Sequence, residues 1–351
     1  MIIEVFEYSE TPPIFRYAKV FDTWQSLRIV KNFTKPHEFT LQVAVTNENI
    51  EYLKPRSCVL IQDVFYEIET VRGEDDVLMV SGQSMSRKLS EAINLFSMER
   101  TGKKPETIVY EILIRPRYLI PHFIKINKPV EFSAFNIRHQ VLHQELLEIL
   151  TTFCETYNFG YLEKAFNLQN PSTEIDIVPV KDLSDRVIFS ITNENLLSEN
   201  FEYSLKDFKD VAWVYGEGEG INRKMVKVDK ATTYDRRTLY VDARDLQSEV
   251  EDGVFLSDAE YEAILYERGV QKLAEHAPIF SLSGTIDAKS KLFELGVDYD
   301  VGDIVTIESE KFNIKTNLQI TSIQETWDST GYHIDPIFGK ESPTIFEKLR
   351  R

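Results

Sequence analysis

His139 and His143 stand four residues apart, the interval that puts two imidazoles on one face of a helix and within reach of one zinc ion. Gln140 follows His139 where a metalloprotease carries its glutamate base, and no third ligand lies nearby in the sequence. The pair therefore reads as two exposed helix histidines outside any metal site. Gly216-Glu217-Gly218-Glu219-Gly220 follows a strand-like run, as a dinucleotide-binding loop does. A second strand pattern comes after it, however, where a helix N-terminus would have to hold the pyrophosphate, and two glutamates would repel phosphate. The segment reads as a flexible hairpin turn.

Three further features fall short of chemistry. Asp298-Tyr299-Asp300-Val301-Gly302-Asp303 begins like a calcium loop, but Asp303 and Ser309 occupy the positions that need Gly and Glu. It reads as a turn into a strand. Gly82-Gln83-Ser84-Met85-Ser86 resembles a hydrolase nucleophile elbow until Ser86, which should be glycine. Cys58 falls in a strand pattern and Cys154 beside an apolar helix stripe, where small thiols are buried and inert. Two cysteines so far apart make neither a disulfide framework nor a metal cluster, which fits a reducing site of assembly. No residue takes a catalytic, cofactor-binding or metal-ligating role in this reading, and the chain is expected not to be an enzyme.

The elements carrying these fragments fall into four stretches. From 1 to 85 the pattern is β: Phe39-Thr40-Leu41-Gln42-Val43 and Tyr66-Glu67-Ile68-Glu69-Thr70-Val71 largely alternate apolar with polar residues. Turn residues at Lys54-Pro55 and Gly73-Glu74-Asp75-Asp76 separate the runs. From 86 to 160 the spacing is mostly helical. One helix is predicted over Ser84–Phe96, one from Pro105, and one over Ile137–Tyr157 with Leu142, Leu146, Ile149, Leu150 and Phe153 as its stripe. From 161 to 278 strands mix with a helix opened by Ser257-Asp258-Ala259-Glu260, a capping box, and closed near Pro278. From 279 to 340 alternation returns. Val305-Thr306-Ile307 followed by Phe312-Asn313-Ile314 echoes Val59-Leu60-Ile61 followed by Tyr66-Glu67-Ile68. The fold expected is α+β, with two similar small β-barrel modules, 1–85 and 279–340, flanking a helical insert (86–160) and a mixed domain (161–278).

Bulk properties narrow the function. A chain of 351 residues has room for several small domains, and 12% aromatic content favours strands. The net charge of -17 argues against a surface that grips nucleic acid, although an acidic channel could let it slide through. The N-terminus, Met1 to Glu7, reads as a first strand and not a signal peptide. No stretch approaches the roughly 18 to 20 apolar residues of a membrane span.

Four groups of residues carry a resemblance. They are Ser81-Gly82-Gln83-Ser84 with Leu89, Thr101-Gly102 and Pro105-Glu106-Thr107-Ile108; Tyr240-Val241-Asp242-Ala243-Arg244-Asp245-Leu246; Glu267-Arg268-Gly269 with Leu273-Ala274-Glu275; and Tyr299-Asp300-Val301-Gly302-Asp303-Ile304-Val305. In this order the chain resembles the prophage tail proteins of the siphovirus hub family, also called tail-associated or tail-endopeptidase-like proteins, which are similar to the central hub of contractile-tail baseplates. The resemblance implies a homotrimer in which each subunit gives two β-barrel modules to a pseudo-sixfold ring docked on a sixfold tail tube. Its implied place is the virion tail tip, after assembly in the host cytoplasm, beside distal tail, tube and tape-measure proteins. DNA would pass the lumen without specific binding. Relatives often carry a long C-terminal hydrolase or fibre. Here the chain stops after Phe346-Glu347-Lys348-Leu349-Arg350-Arg351, so cell-wall activity is expected on another polypeptide.

Two other classes remain open. A cell-wall peptidase or glycosidase would need paired carboxylates in a cleft, which abundant Asp and Glu could supply unseen. A host-surface carbohydrate-binding module would use aromatics such as Trp24 or Trp327, which read more simply as core or strand-face residues.

Overall fold

The protein is described by a computed structural model covering residues 2–10, 13–95, 98–116, 119–141, 143–166, 171–251, 253–287, 290 and 292–340. The first stretch gives seven strands: β1 (Ile3–Glu10), β2 (Pro13–Phe21), β3 (Ser26–Asn32), β4 (Glu38–Ala44), β5 (Cys58–Ile61), β6 (Val64–Glu74) and β7 (Val77–Ser84). The alternation in β4 is realised as read: Phe39, Leu41 and Val43 are buried, while Thr40 and Gln42 are not. Gln62 and Asp63 join β5 to β6 with φ of 49° and 64°, the left-handed pair that a two-residue hairpin demands. A short helix α1 (Asn47–Tyr52) bridges β4 and β5, capped by Thr46, whose hydroxyl accepts from the Asn49 amide.

The second stretch departs from its periodicity. Ser84–Phe96 holds one 3-10 helix, Met85–Glu91, with Phe96 outside the described residues. Then come β8 (Met98–Lys103), α2 (Pro105–Ile114), β9 (Ile124–Ile126), β10 (Ile137–Val141), α3 (Leu146–Tyr157), β11 (Phe159–Phe166) and β12 (Ser172–Pro179). The single helix expected over Ile137–Tyr157 is two elements. Its first part pairs with β8 as a strand, and Leu142 lies outside the described residues. Tertiary pairing has overridden a helical pattern that continued across the boundary. Asn158, at φ 55°, ends α3 in the left-handed region. Helices α2 and α3 bury Ile108, Val109, Ile112, Leu146, Ile149, Leu150 and Phe153 against β11, β12 and Phe6, Leu60 and Phe65 of the first sheet.

The remaining elements are β13 (Ile188–Phe189), β14 (Asn200–Ser204), β15 (Val211–Tyr215), β16 (Met225–Asp229), β17 (Thr238–Asp242), β18 (Glu249–Glu251), β19 (Val254–Phe255), α4 (Asp258–Glu275), β20 (Ile279–Ser283), β21 (Ile304–Ser309), β22 (Ile314–Asp328) and β23 (Gly331–Lys340). The capping box forms: the Ser257 hydroxyl accepts from the Glu260 amide while the Glu260 carboxylate accepts from the Ser257 amide. Helix α4 covers one face of the β16-β15-β17 sheet with its own core of Val214, Val228, Tyr261 and Leu265.

The protein is mostly β. Where two separate small barrels were expected, among the described residues no sheet closes on itself. Strand β3 pairs antiparallel with β22, Leu27 opposite Trp327 and Asn32 opposite Ser322, and this seam fuses both terminal β regions into one thirteen-stranded sheet. The sheet runs β14-β20-β23-β22-β3-β4-β7-β6-β5-β1-β2, with β21 on β22 and β13 on β21.

Candidate functional site

The two halves of the large sheet repeat one another strand for strand. In the first half the order is β3-β4-β7-β6-β5; in the second it is β14-β20-β23-β22-β21. Every pairing within both series is antiparallel. Each series has one long strand, β6 or β22, shared lengthwise between two partners and interrupted by a bulge. In β6 the irregularity lies between Ile68 and Thr70; in β22 it lies between Ile320 and Ser322. Aligned on those bulges, Val59 opposite Tyr66 matches Val305 opposite Leu318. Phe39 beside Gly82 likewise matches Leu282 beside Phe338. Of the faint echo in the sequence, Val59-Leu60-Ile61 and Val305-Thr306-Ile307 do occupy matching strands, whereas Tyr66-Glu67-Ile68 aligns with Leu318-Gln319-Ile320 and not with Phe312-Asn313-Ile314. A bulge fixes register because it turns every following side chain to a set face.

At the seam, charge and packing lock the halves together. Lys31 of β3 reaches Glu325 of β22 at 2.8 Å, and the Glu325 side chain is only 3% exposed. The Tyr332 hydroxyl donates to the same carboxylate at 2.5 Å, and the Gln62 amide does so at 3.4 Å. Phe33, just past β3, is wedged between two glycines from different elements. A Cβ on Gly160 would lie 2.5 Å from the Phe33 carbonyl, and one on Gly302 would lie 2.2 Å from its ring. Gly302 also sits at φ +98°, where a side chain is strained.

A second buried carboxylate ties the first sheet to the helical stretch. Glu163 accepts from the Ser84 hydroxyl at 2.5 Å, the Ser86 hydroxyl at 2.6 Å and the Ser86 amide at 2.9 Å. Burial pushes its pKa above the ordinary value, against these hydrogen bonds. His37 joins the cluster through its backbone and one ring nitrogen. Its backbone amide donates to Ser84 Oγ, and its ring Nδ1 accepts from the Asn32 amide. Burial, then the charge of Lys31, lowers its pKa to about 4, so the ring is neutral. Serine, histidine and carboxylate meet here as structural hydrogen-bond partners, closed to solvent.

The sequence motifs resolve the same way. His139 is not an exposed helix residue: it lies in β10, buried, with Nδ1 3.2 Å from the Gln271 amide and a pKa lowered by burial to about 3. His143 is exposed beyond the strand. Gly216 and its neighbours form the β15–β16 turn, which the Tyr261 hydroxyl pins by accepting from the Glu217 amide. Asp298 and Asp303 accept backbone amides of Glu294 and Asp300 in the turn before β21. Cys58 and Cys154 are free and buried, their pKa values raised chiefly by burial. Trp327 stacks on Tyr332 at 4.8 Å, and Trp24 packs on the first core. Among the described residues no cluster of metal ligands occurs and no helix is long and apolar enough to cross a membrane. The features that sequence reading missed are Glu163, Glu325 and the seam.

Residues 120–340 match the family described as Siphovirus ReqiPepy6 Gp37-like protein. The chain belongs to this family. No curated protein matches the chain in sequence. Three solved structures share the fold of this Gp37-like chain over nearly its whole length. The 43 kDa tail protein of prophage MuSo2 from Shewanella oneidensis gives a TM-score of 0.57 at 14% identity, covering 97% of this chain and 98% of that one. Prophage tail protein gp18 from Listeria monocytogenes EGD-e gives 0.59 at 10% identity, covering 100% and 98%. The tail protein from Neisseria meningitidis MC58 gives 0.56 at 12% identity, covering 97% and 96%. At these identities the likeness is one of fold.

Proposed function

We propose that this Gp37-like chain is a structural hub of a phage tail tip. Three copies form a pseudo-sixfold ring that caps the tail tube, anchors the other tip proteins and opens for DNA. The observation that carries the reading is the matched register of the two β halves. A trimer of chains with two equivalent units presents six similar edges, which is what a sixfold tube end requires. The fold shared with three tail proteins, two of them from prophages, and the siphovirus family support the setting.

In this reading residues 1–85 and 279–340, with β14 joined to their sheet, dock the tube, while 86–160 and the rest of 161–278 are platforms for partners such as distal tail and tape-measure proteins. The sheet face turned away from the cores lines the lumen. Alternation puts Glu38, Glu74, Glu202 and Asp335 on that face, against Arg28 and Arg72. Carboxylates outnumber cations there, so DNA slides without releasing counterions. In this reading the chain is not a hydrolase: the buried carboxylates of Glu163 and Glu325 are held by serine and tyrosine hydroxyls, a backbone amide and Lys31.

Tails produced without the chain test the proposal. They are expected to lack a finished tip and to be non-infectious, and the purified chain is expected to leave peptidoglycan intact. Normal infectious tails formed in its absence, or clearing of cell walls by the chain alone, would contradict it.

A further inference from the structure

The internal repeat is incomplete in one place, and the missing piece defines an interface. In the second half, β22 receives β21 along residues 314–319 and β3 along residues 322–327, both on the edge away from β23. In the first half, β6 receives β5 along residues 64–67 only. Among the described residues no strand continues along that edge from Thr70 to Glu74. The counterpart of β3 in the repeat is β14, which pairs with β20 and ends the sheet on its other side.

We infer that β14 of one copy adds as an antiparallel strand to the outer half of β6 in the next copy, as β3 adds to β22 within one chain. This deepens the proposed ring and rests on it. The repeat fixes the register. Through the matched bulges, Gln324 opposite Val30 becomes Arg72 opposite Glu202 of the next copy. Ile323 opposite Lys31 becomes Val71 opposite Tyr203, and Glu325 opposite Ile29 becomes Gly73 opposite Phe201.

Two features of this contact support the occupant. Charge is complementary: the position where the internal seam has a neutral pair becomes an arginine facing a glutamate across the ladder. Exposure is the second. Ile29, covered by β22, is 0% exposed, whereas its counterpart Phe201 is 38% and Tyr203 is 59% exposed. These two rings stand with Phe280 and Phe312 in one aromatic cluster on the core-side face at the sheet's end. An exposed aromatic cluster on an unpaired edge strand would invite aggregation unless a partner covers it. The two open edges lie at opposite ends of the run from β14 to β6, so the contact is head to tail and propagates from copy to copy until the ring closes.

The test is a cysteine pair in the full chain, Val71→Cys with Tyr203→Cys. Directly opposed residues across an antiparallel ladder have Cα atoms about 4.5 to 5.5 Å apart, within disulfide range. Cys58 and Cys154 are buried and do not compete. Mild oxidation should give covalent dimers and closed trimers, while the off-register pair Val71→Cys with Phe201→Cys should stay largely unlinked. In the unmodified chain, hydrogen exchange should slow at Thr70–Glu74 and Asn200–Ser204 together as trimer forms in light scattering. A trimer whose two strands exchange freely, or that links equally well off register, overturns this interface and leaves the hub reading standing. A chain that stays monomeric and unlinked at every concentration overturns both.

Discussion

Lys31 and Glu325 meet where β3 lies on β22, and the carboxylate has almost no access to water. Removing one partner of such a pair strands the other, which costs about 3–5 kcal/mol when both are buried. Lys31 retains 22% exposure, so Lys31→Met should destabilise by somewhat less, about 2–3 kcal/mol, read from the denaturant midpoint. Titration adds two opposed contributions. Glu163 has a raised pKa, so its contribution is full below its ordinary value of 4.5 and is lost as pH rises through the higher folded value. Relative to the wild type, Glu163→Gln should therefore gain stability as pH climbs above 4.5. His37, lowered from 6.5 to about 4, acts the other way: its contribution is present above 6.5 and lost as pH falls toward 4. The wild type should lose about 3 kcal/mol across that window through this ring, and His37→Asn should flatten the loss in pH-resolved thermal melts. None of these residues stood out in the sequence. Carboxylates are abundant there, and which of them becomes dry is decided by chain segments far away: Ser84 and Glu163 are 79 residues apart.

Elements were legible wherever one face is wet and one dry. Strands β4, β7 and β23 follow their alternation, and α4 begins at its capping box. The strand β10 was not legible, because the helical stripe of Leu146, Ile149, Leu150 and Phe153 extends back to Leu142 and the pairing with β8 that sets the boundary is non-local. The seam was hidden for the same reason, since Leu27 and Trp327 are 300 residues apart in sequence. Its packing gives a sharp prediction. Gly302→Ala must move a Cβ out of the Phe33 ring and hold a positive φ, so a loss of about 3 kcal/mol or more in unfolding free energy is expected. Phe33→Leu in the same chain, which clears part of the ring, should recover some of it; a neutral Gly302→Ala would mean that Phe33 does not clamp the halves.

At the scale of the whole molecule, the proposed ring gives the net charge of -17 and the two matched halves one use. Charge reversal on the face assigned to the lumen, as in Glu38→Lys with Asp335→Lys, should slow DNA ejection by adding phosphate contacts and make it salt-sensitive. The same substitutions should leave the melting temperature within a few degrees, because both side chains lie on the polar face of the sheet. The proposed ring has a simple geometry: two equivalent units per chain, three chains per ring. Electron cryo-microscopy of intact tail tips, reconstructed without imposed symmetry, measures this directly. Three copies are expected at the end of the tube, with the β3–β22 seam within each chain alternating with a β14–β6 contact between chains around a near-sixfold lumen. A tip with one or two copies, or a trimer in which the two β halves lie at unequal radii from the axis, would contradict it.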